Sequence, residues 1–155
     1  MVVPSGQSES LSALGIGLLF ELGDKGRSCA RELVSSSQIQ ALSPSALAYL
    51  GDAVFELFVR SALLLPPQRI HTYHQQVVEQ VRAERQIQHL ETLMPHLSHA
   101  EKGICKRGRN AAPRGPRRLK PAVYQQATGF EALIGYLYLK DRVRLAELLG
   151  YIELT

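Results

Sequence analysis

Asp52 and Glu56 stand four residues apart in the stretch SPSALAYLGDAVFELFVRSALLL, residues 43–65. On a helix that spacing puts both carboxylates on one face, where like charges oppose helix formation by about 0.2–0.5 kcal/mol. Folding alone does not ask for such a pair. One resolution is structural: Glu56 pairs with Arg60 at the favourable i, i+4 spacing while Asp52 faces water at a helix edge. The other is chemical, because Mg²⁺ takes hard oxygen ligands and accepts one or two protein carboxylates completed by water and phosphate oxygens. A third acid, Glu131, is alone among the apolar residues of 122–139, where it reads by itself as an edge residue that supports helix propensity.

The elements that must carry these acids are marked by caps and breakers. Ser43 can accept from the free N–H groups of a first turn, Pro44 sits where its missing N–H costs nothing, and Pro66-Pro67 forbid continuation. The helix between them is apolar on more than one side, which predicts a central position. Gly51 in mid-helix gives up about 1 kcal/mol of helix propensity, and close approach of a second copy's backbone is the expected reason. A second helix is predicted over about 72–94 from Val77, Val78, Val81, Ile87, Leu90 and Leu93. Ser98 and Glu101 form a capping box that starts a helix at about His99. Pro121 opens a helix over 122–139, and Asp141 caps a last one over 142–153. Few aromatics and no Trp accompany this pattern, and the fold class predicted is an all-α bundle in one domain.

The net charge of +4 is unevenly spread, since residues 102–120 carry eight Lys and Arg and no acid, leaving ten basic against fourteen acidic residues elsewhere. Part of that cluster complements a helix C-terminus. Pro113, Gly115, Pro116 and Pro121 predict a mobile loop bearing Arg114, Arg117, Arg118 and Lys120, the outline of a polyanion binder. Cys29 and Cys105 fit neither a disulfide framework nor a zinc site, and reduced thiols in a cytoplasmic protein are expected. His71/His74 and His96/His99 have i, i+3 spacing without matching third or fourth ligands. The apolar run 14–20 is too short to span a bilayer, and no basic n-region precedes it, so no membrane partner is expected.

Tyr49-Leu50-Gly51-Asp52-Ala53-Val54-Phe55-Glu56 and Phe130-Glu131-Ala132-Leu133-Ile134-Gly135 together resemble the two catalytic signatures of the ribonuclease III endonuclease domain. With Lys106-Arg107-Gly108-Arg109-Asn110 between them, the chain is more similar to the Mini-ribonuclease III branch, which lacks a double-stranded-RNA-binding domain. The likeness covers about residues 42–154. It implies a ribonuclease III-type helical bundle around the first signature helix, with Asp52 and Glu131 holding Mg²⁺ against a phosphate of double-stranded RNA. A metal-water contact from Glu56 would rest on helical spacing alone. Lys106, Arg107, Arg109, Arg114, Arg117, Arg118 and Lys120 would then bind RNA. The resemblance further implies 5′-phosphate and 3′-hydroxyl products, a homodimer, and the terminal stem of a large-subunit (23S) ribosomal RNA precursor as substrate, with a ribosomal protein bound to it. Members with four carboxylates place acids where this chain has Ala48 and Thr128, and Mini-ribonuclease III enzymes resemble it in departing there.

Residues 1–41 read as an extension outside the catalytic domain of 42–155: a Ser- and Gly-rich start without periodicity, a short apolar helix over 14–22, and a marginal helix over 30–39 weakened by Ser35-Ser36-Ser37. The rival functional readings are a non-catalytic RNA-binding or ribosome-associated protein that keeps the same fold, and a helical protein-interaction module. Acids on apolar helix faces favour the enzyme, because RNA binding gains nothing from carboxylates beside phosphate.

Overall fold

A computed structural model of the chain describes residues 34–155 together with Ile16. The readings over 1–33 lie otherwise outside the described residues, and with them Cys29 and most of the extension. All regular structure among the described residues is helical: α1 (Ser36–Ala41), α2 (Pro44–Ala62), α3 (Ile70–Val81), α4 (Ala83–Leu93), a 3₁₀ turn (Met94–His96), α5 (His99–Ala111), α6 (Pro121–Lys140) and α7 (Arg142–Leu149). The serine tract starts a helix rather than weakening one. Ser35 Oγ accepts from Gln38 N while the Gln38 side chain accepts from Ser35 N, a capping box with Gln in place of Glu.

The α2, α5 and α7 starts follow the sequence signals. Ser43 Oγ accepts from Ala46 N at 3.1 Å, Ser98 and Glu101 cap each other, and Asp141 Oδ1 accepts from Arg144 N at 2.9 Å. Glu101 also does what local sequence does not announce. Arg144 Nε and Nη2 donate to its two oxygens at 2.9 and 3.0 Å, and Nη2 donates to the His96 carbonyl at 2.7 Å, tying α5 to α7 and the 3₁₀ turn. That guanidinium holds the Glu101 carboxyl below its usual range despite burial.

The core is built on α6, which packs against α2 and α5 along most of its length. Phe55 and Phe130 meet edge to face at 5.0 Å, enclosed by Phe58, Leu93, Leu133, Ile134, Leu145 and Leu149. Both crossings of α6 are made by glycine. A methyl on Gly51 would fall on the Glu131 carbonyl oxygen and within 2.7 Å of Gly135 N; one on Gly135 would fall on the Leu47 carbonyl and 3.0 Å from Gly51 N. At the second crossing a Gly108 methyl would lie 2.6 Å from Ala132 Cβ, and a Gly129 methyl 2.7 Å from the Cys105 carbonyl oxygen. Space at Gly51 is therefore taken by α6 of the same chain, which corrects the expectation that it admits a second copy.

The single helix expected over 72–94 is two. At Arg82 the backbone is extended (φ −64°, ψ 152°), so α4 restarts with a different rotation and turns Gln86, His89 and Leu93 inward while Ile87 is only half-buried. No Gly or Pro marks the break. Side chains seal it instead: Gln86 Nε2 donates to the Val81 carbonyl at 3.2 Å, and Gln80 Nε2 to the Thr155 carbonyl at 2.6 Å. The last helix likewise stops at Leu149, and Ile152 and Leu154 are buried from a non-helical segment. In the 112–120 loop, Gly115 packs on the Tyr124 ring of α6.

Gly51→Ala is expected to lower stability by about 3 kcal/mol or more, because backbone lies where the methyl must go. Gly103, with nothing within 4 Å of an added methyl, is the control: Gly103→Ala should be neutral or stabilising by about 0.5–1 kcal/mol. Urea unfolding midpoints of the two variants check both.

Candidate active site

Backbone contact between Gly51 and Glu131 makes Asp52 and Glu131 neighbours, although 79 positions separate them in the chain. Asp52 follows Gly51 on α2, and Glu131 stands on α6 at the crossing itself. Burial pushes the Glu131 carboxyl up to about 7, the charge of Asp52 adds to this, and a hydrogen bond from the Gln86 side chain pulls it partly back. Asp52 is raised as well, by the partial burial of its carboxyl first and by Glu56 second. Two carboxylates are thus held close enough to repel, in a setting that penalises their charge. Perturbed acids in such a pair mark a site built for something other than stability.

Glu56 takes the structural option. It forms an ion pair with Arg60, whose Nε donates to it at 3.1 Å and whose Nη2 also contacts it. Among the described residues no group of three or more His, Cys, Asp or Glu stands together in a way that could hold a metal ion. A cation at this site would rest on Asp52 and Glu131 and fill its remaining positions with other oxygens. The donor set fits Mg²⁺, which asks for few protein ligands, all hard oxygens. Ala48 and Thr128 do not add to it: Ala48 is buried beside Leu47, Ile104 and Ala132, and Thr128 Oγ1 donates to the Tyr124 carbonyl at 2.9 Å.

Two buried polar residues of α4 escape a reading of the sequence. Gln86 and His89 point from α4 into the core, and each has a buried atom without a partner, Gln86 Oε1 and His89 Nε2. His89 lies against the rings of Phe55 and Phe130, and burial lowers its pKa to about 4, so it is a neutral imidazole. The available signal was two polar residues three apart beside an apolar stripe. It could be used only by knowing that the helix breaks at Arg82.

The basic residues lie on α5 and in the loop that follows it. Lys106, Arg107 and Arg109 are exposed on α5, Arg107 and Arg109 flanking the Gly108 that makes the crossing, and a methyl on Gly129 would stand 3.6 Å from Arg109 Cβ. Arg114, Arg117, Arg118 and Lys120 are exposed in the loop that follows, around an open cavity of about 340 Å³ lined by Arg114, Gly115, Arg117, Leu119 and Gln125. None of these seven cations is in an ion pair among the described residues. The structure therefore brings Asp52 and Glu131 together at one crossing of α6 and roots the cationic surface at the next, two residues away at Gly129.

The ribonuclease III domain family matches residues 45–142. Among curated relatives, the Mini-ribonuclease 3 of Synechocystis sp. is 60% identical over 116 residues, covering 75% of this chain and 81% of that protein. The Mini-ribonuclease 3 of a Synechococcus strain is 55% identical over 122 residues, covering 79% and 88%. A crystal structure of a Fusobacterium nucleatum protein superposes with a TM-score of 0.66 at 32% identity, over 72% of this chain and 91% of the other. The chain belongs to the ribonuclease III family, in its Mini-ribonuclease 3 branch, and is an endoribonuclease.

Because the folded chain binds the Glu131 proton more tightly than the unfolded chain, this residue lowers stability progressively as pH rises from about 4.5 to about 7. Glu131→Gln removes that penalty. In metal-free buffer the variant should be more stable than wild type at pH 8, by an amount on the order of 2 kcal/mol, and should differ little at pH 4.5. Urea unfolding at the two pH values with EDTA present measures the difference.

Proposed function

We propose that the chain is a Mg²⁺-dependent endoribonuclease that cuts double-stranded RNA, with Asp52 and Glu131 as the residues that hold the ion. The observation that carries this reading is the glycine contact between α2 and α6, which brings two carboxylates close enough to repel where burial penalises their charge. What a bound Mg²⁺ supplies is neutralisation at the scissile phosphate and acidification of the attacking water. Asp52 and Glu131 fix where that charge sits. No side chain need become covalently attached to RNA, and hydrolysis leaves a 5′ phosphate and a 3′ hydroxyl.

Duplex binding falls to Lys106, Arg107, Arg109, Arg114, Arg117, Arg118 and Lys120. A-form RNA hides its base edges in a deep, narrow groove, so these cations read phosphates and shape rather than sequence. Weak sequence selection fits a substrate defined by its own structure, the terminal stem of a large-subunit ribosomal RNA precursor carrying a ribosomal protein. Each chain holds one carboxylate pair, whereas a duplex has two strands to cut, and the exposed α2 stripe of Tyr49 (87% accessible), Ala53 and Leu57 (52%) offers the apolar surface through which a second copy would supply the other pair. Among the described residues no helix is long and apolar enough to cross a membrane.

The test is cleavage of duplex RNA by purified protein with Mg²⁺ and its absence with EDTA. Asp52→Asn and Glu131→Gln should each lower cleavage by at least about a thousandfold, roughly 4 kcal/mol of barrier, while duplex affinity in EDTA stays within about twofold. Near-wild-type turnover of Asp52→Asn would contradict the assignment. For binding, about four phosphate contacts give a slope of log affinity against log salt of roughly −3 to −4, and neutralising Arg107 and Arg109 together should flatten it by about one to two units.

A further inference from the structure

A buried polar side chain that acts on Glu131 is Gln86, only 2% accessible and set on α4, which packs across α6. A glutamine in that position must find partners for two N–H groups and one carbonyl oxygen. One N–H is fixed by the fold: Nε2 donates at 3.2 Å to the Val81 carbonyl, left open where α3 ends. That bond also sets which end of the amide is which, since the reversed amide would turn an oxygen toward the Val81 oxygen. The same side chain also draws the Glu131 carboxyl back toward its ionised form, which sets it against that group. Oε1 is then left buried without a partner. An orphan acceptor of this kind costs about 1–3 kcal/mol, and its retention calls for a donor that the described residues do not provide.

We propose that Gln86 is a positioning residue for the metal site: its Nε2 holds the Glu131 carboxylate in the orientation that receives the cation, and its Oε1 accepts a hydrogen bond from water hydrating that cation. This rests on the reading of Asp52 and Glu131 as the residues that hold Mg²⁺. The α3–α4 break gives the arrangement its stiffness, because the side chain that closes the break is the one that touches Glu131. Residues that orient a metal-binding carboxylate are worth about 10- to 100-fold in metal affinity or activity.

The experiment uses Mn²⁺ alone as the probe, in place of Mg²⁺, titrated into the full chain and followed by electron paramagnetic resonance without RNA. Gln86→Met keeps length and approximate volume but donates and accepts nothing. It should weaken Mn²⁺ binding by about 10- to 100-fold and raise the Mg²⁺ concentration for half-maximal cleavage by a similar factor, with duplex affinity in EDTA unchanged. Wild-type binding with a Gln86→Met affinity within twofold of it overturns the role of Gln86 and leaves the carboxylate assignment standing. Absence of Mn²⁺ binding by the wild type overturns both. Should Gln86→Met fail to fold, the wild-type side-chain amide resonances of Gln86 decide: movement on Mg²⁺ addition, with the midpoint of the cleavage titration, supports the inference, and resonances that stay in place overturn it.

Discussion

At the crossing of α2 and α6 the two helices touch backbone to backbone, and everything that makes this chain more than a helical bundle depends on that contact. Glycine at both 51 and 135 removes the side chains that ordinarily keep helix axes 8–10 Å apart. The residue after Gly51 and the residue whose carbonyl Gly51 meets are both acids, so the approach that packs the core also forces Asp52 and Glu131 together. Hydrophobic burial elsewhere holds them there. The Phe55–Phe130 pair and the Leu133–Ile134 ridge lie on the same two helices and cannot relax without opening the core.

The same helix repeats the device one crossing away. Gly108 and Gly129 let α5 lie close on α6, so the cations that flank Gly108 are anchored at Gly129, two residues before Glu131 on α6. A negative cluster that disfavours its own charge and a surface whose cations form no ion pair among the described residues are thereby both packed on α6. On the proposed function, electrostatic work is divided between them: the cations would attract a polyanion over a distance of about a Debye length, and the carboxylates would act only at contact. Glu101 and Arg144 hold the α5 end of this arrangement against α7.

Much of this was legible in the residue order, and the exceptions have physical reasons. Ser43, Pro44, Ser98, Glu101, Pro121 and Asp141 act through neighbours three or four positions away, so their capping roles can be read locally. Gly51 was legible as a place of close approach but not as to what approaches, because that partner lies on α6, far along the chain. Ser35 was misjudged because helix propensity treats a serine tract as a breaker, whereas one serine at the N-cap with Gln38 three residues on is a start signal. The break at Arg82 has no local signature at all. It is held by Gln80, Gln86 and the chain's final residues, and with it went the inward rotation of Gln86 and His89.

The central claim is that the fold forces Glu131 to share space with Asp52 at a cost in charge. The most direct measurement is the titration of the Glu131 side-chain carboxyl carbon by nuclear magnetic resonance in metal-free buffer, in wild type and in Asp52→Asn. The account predicts a wild-type midpoint near 7, lower in Asp52→Asn because one source of the shift is gone, and lower again in wild type when Mg²⁺ is added. A wild-type midpoint at the ordinary glutamate value near 4.5, unmoved by Asp52→Asn and by Mg²⁺, would contradict it.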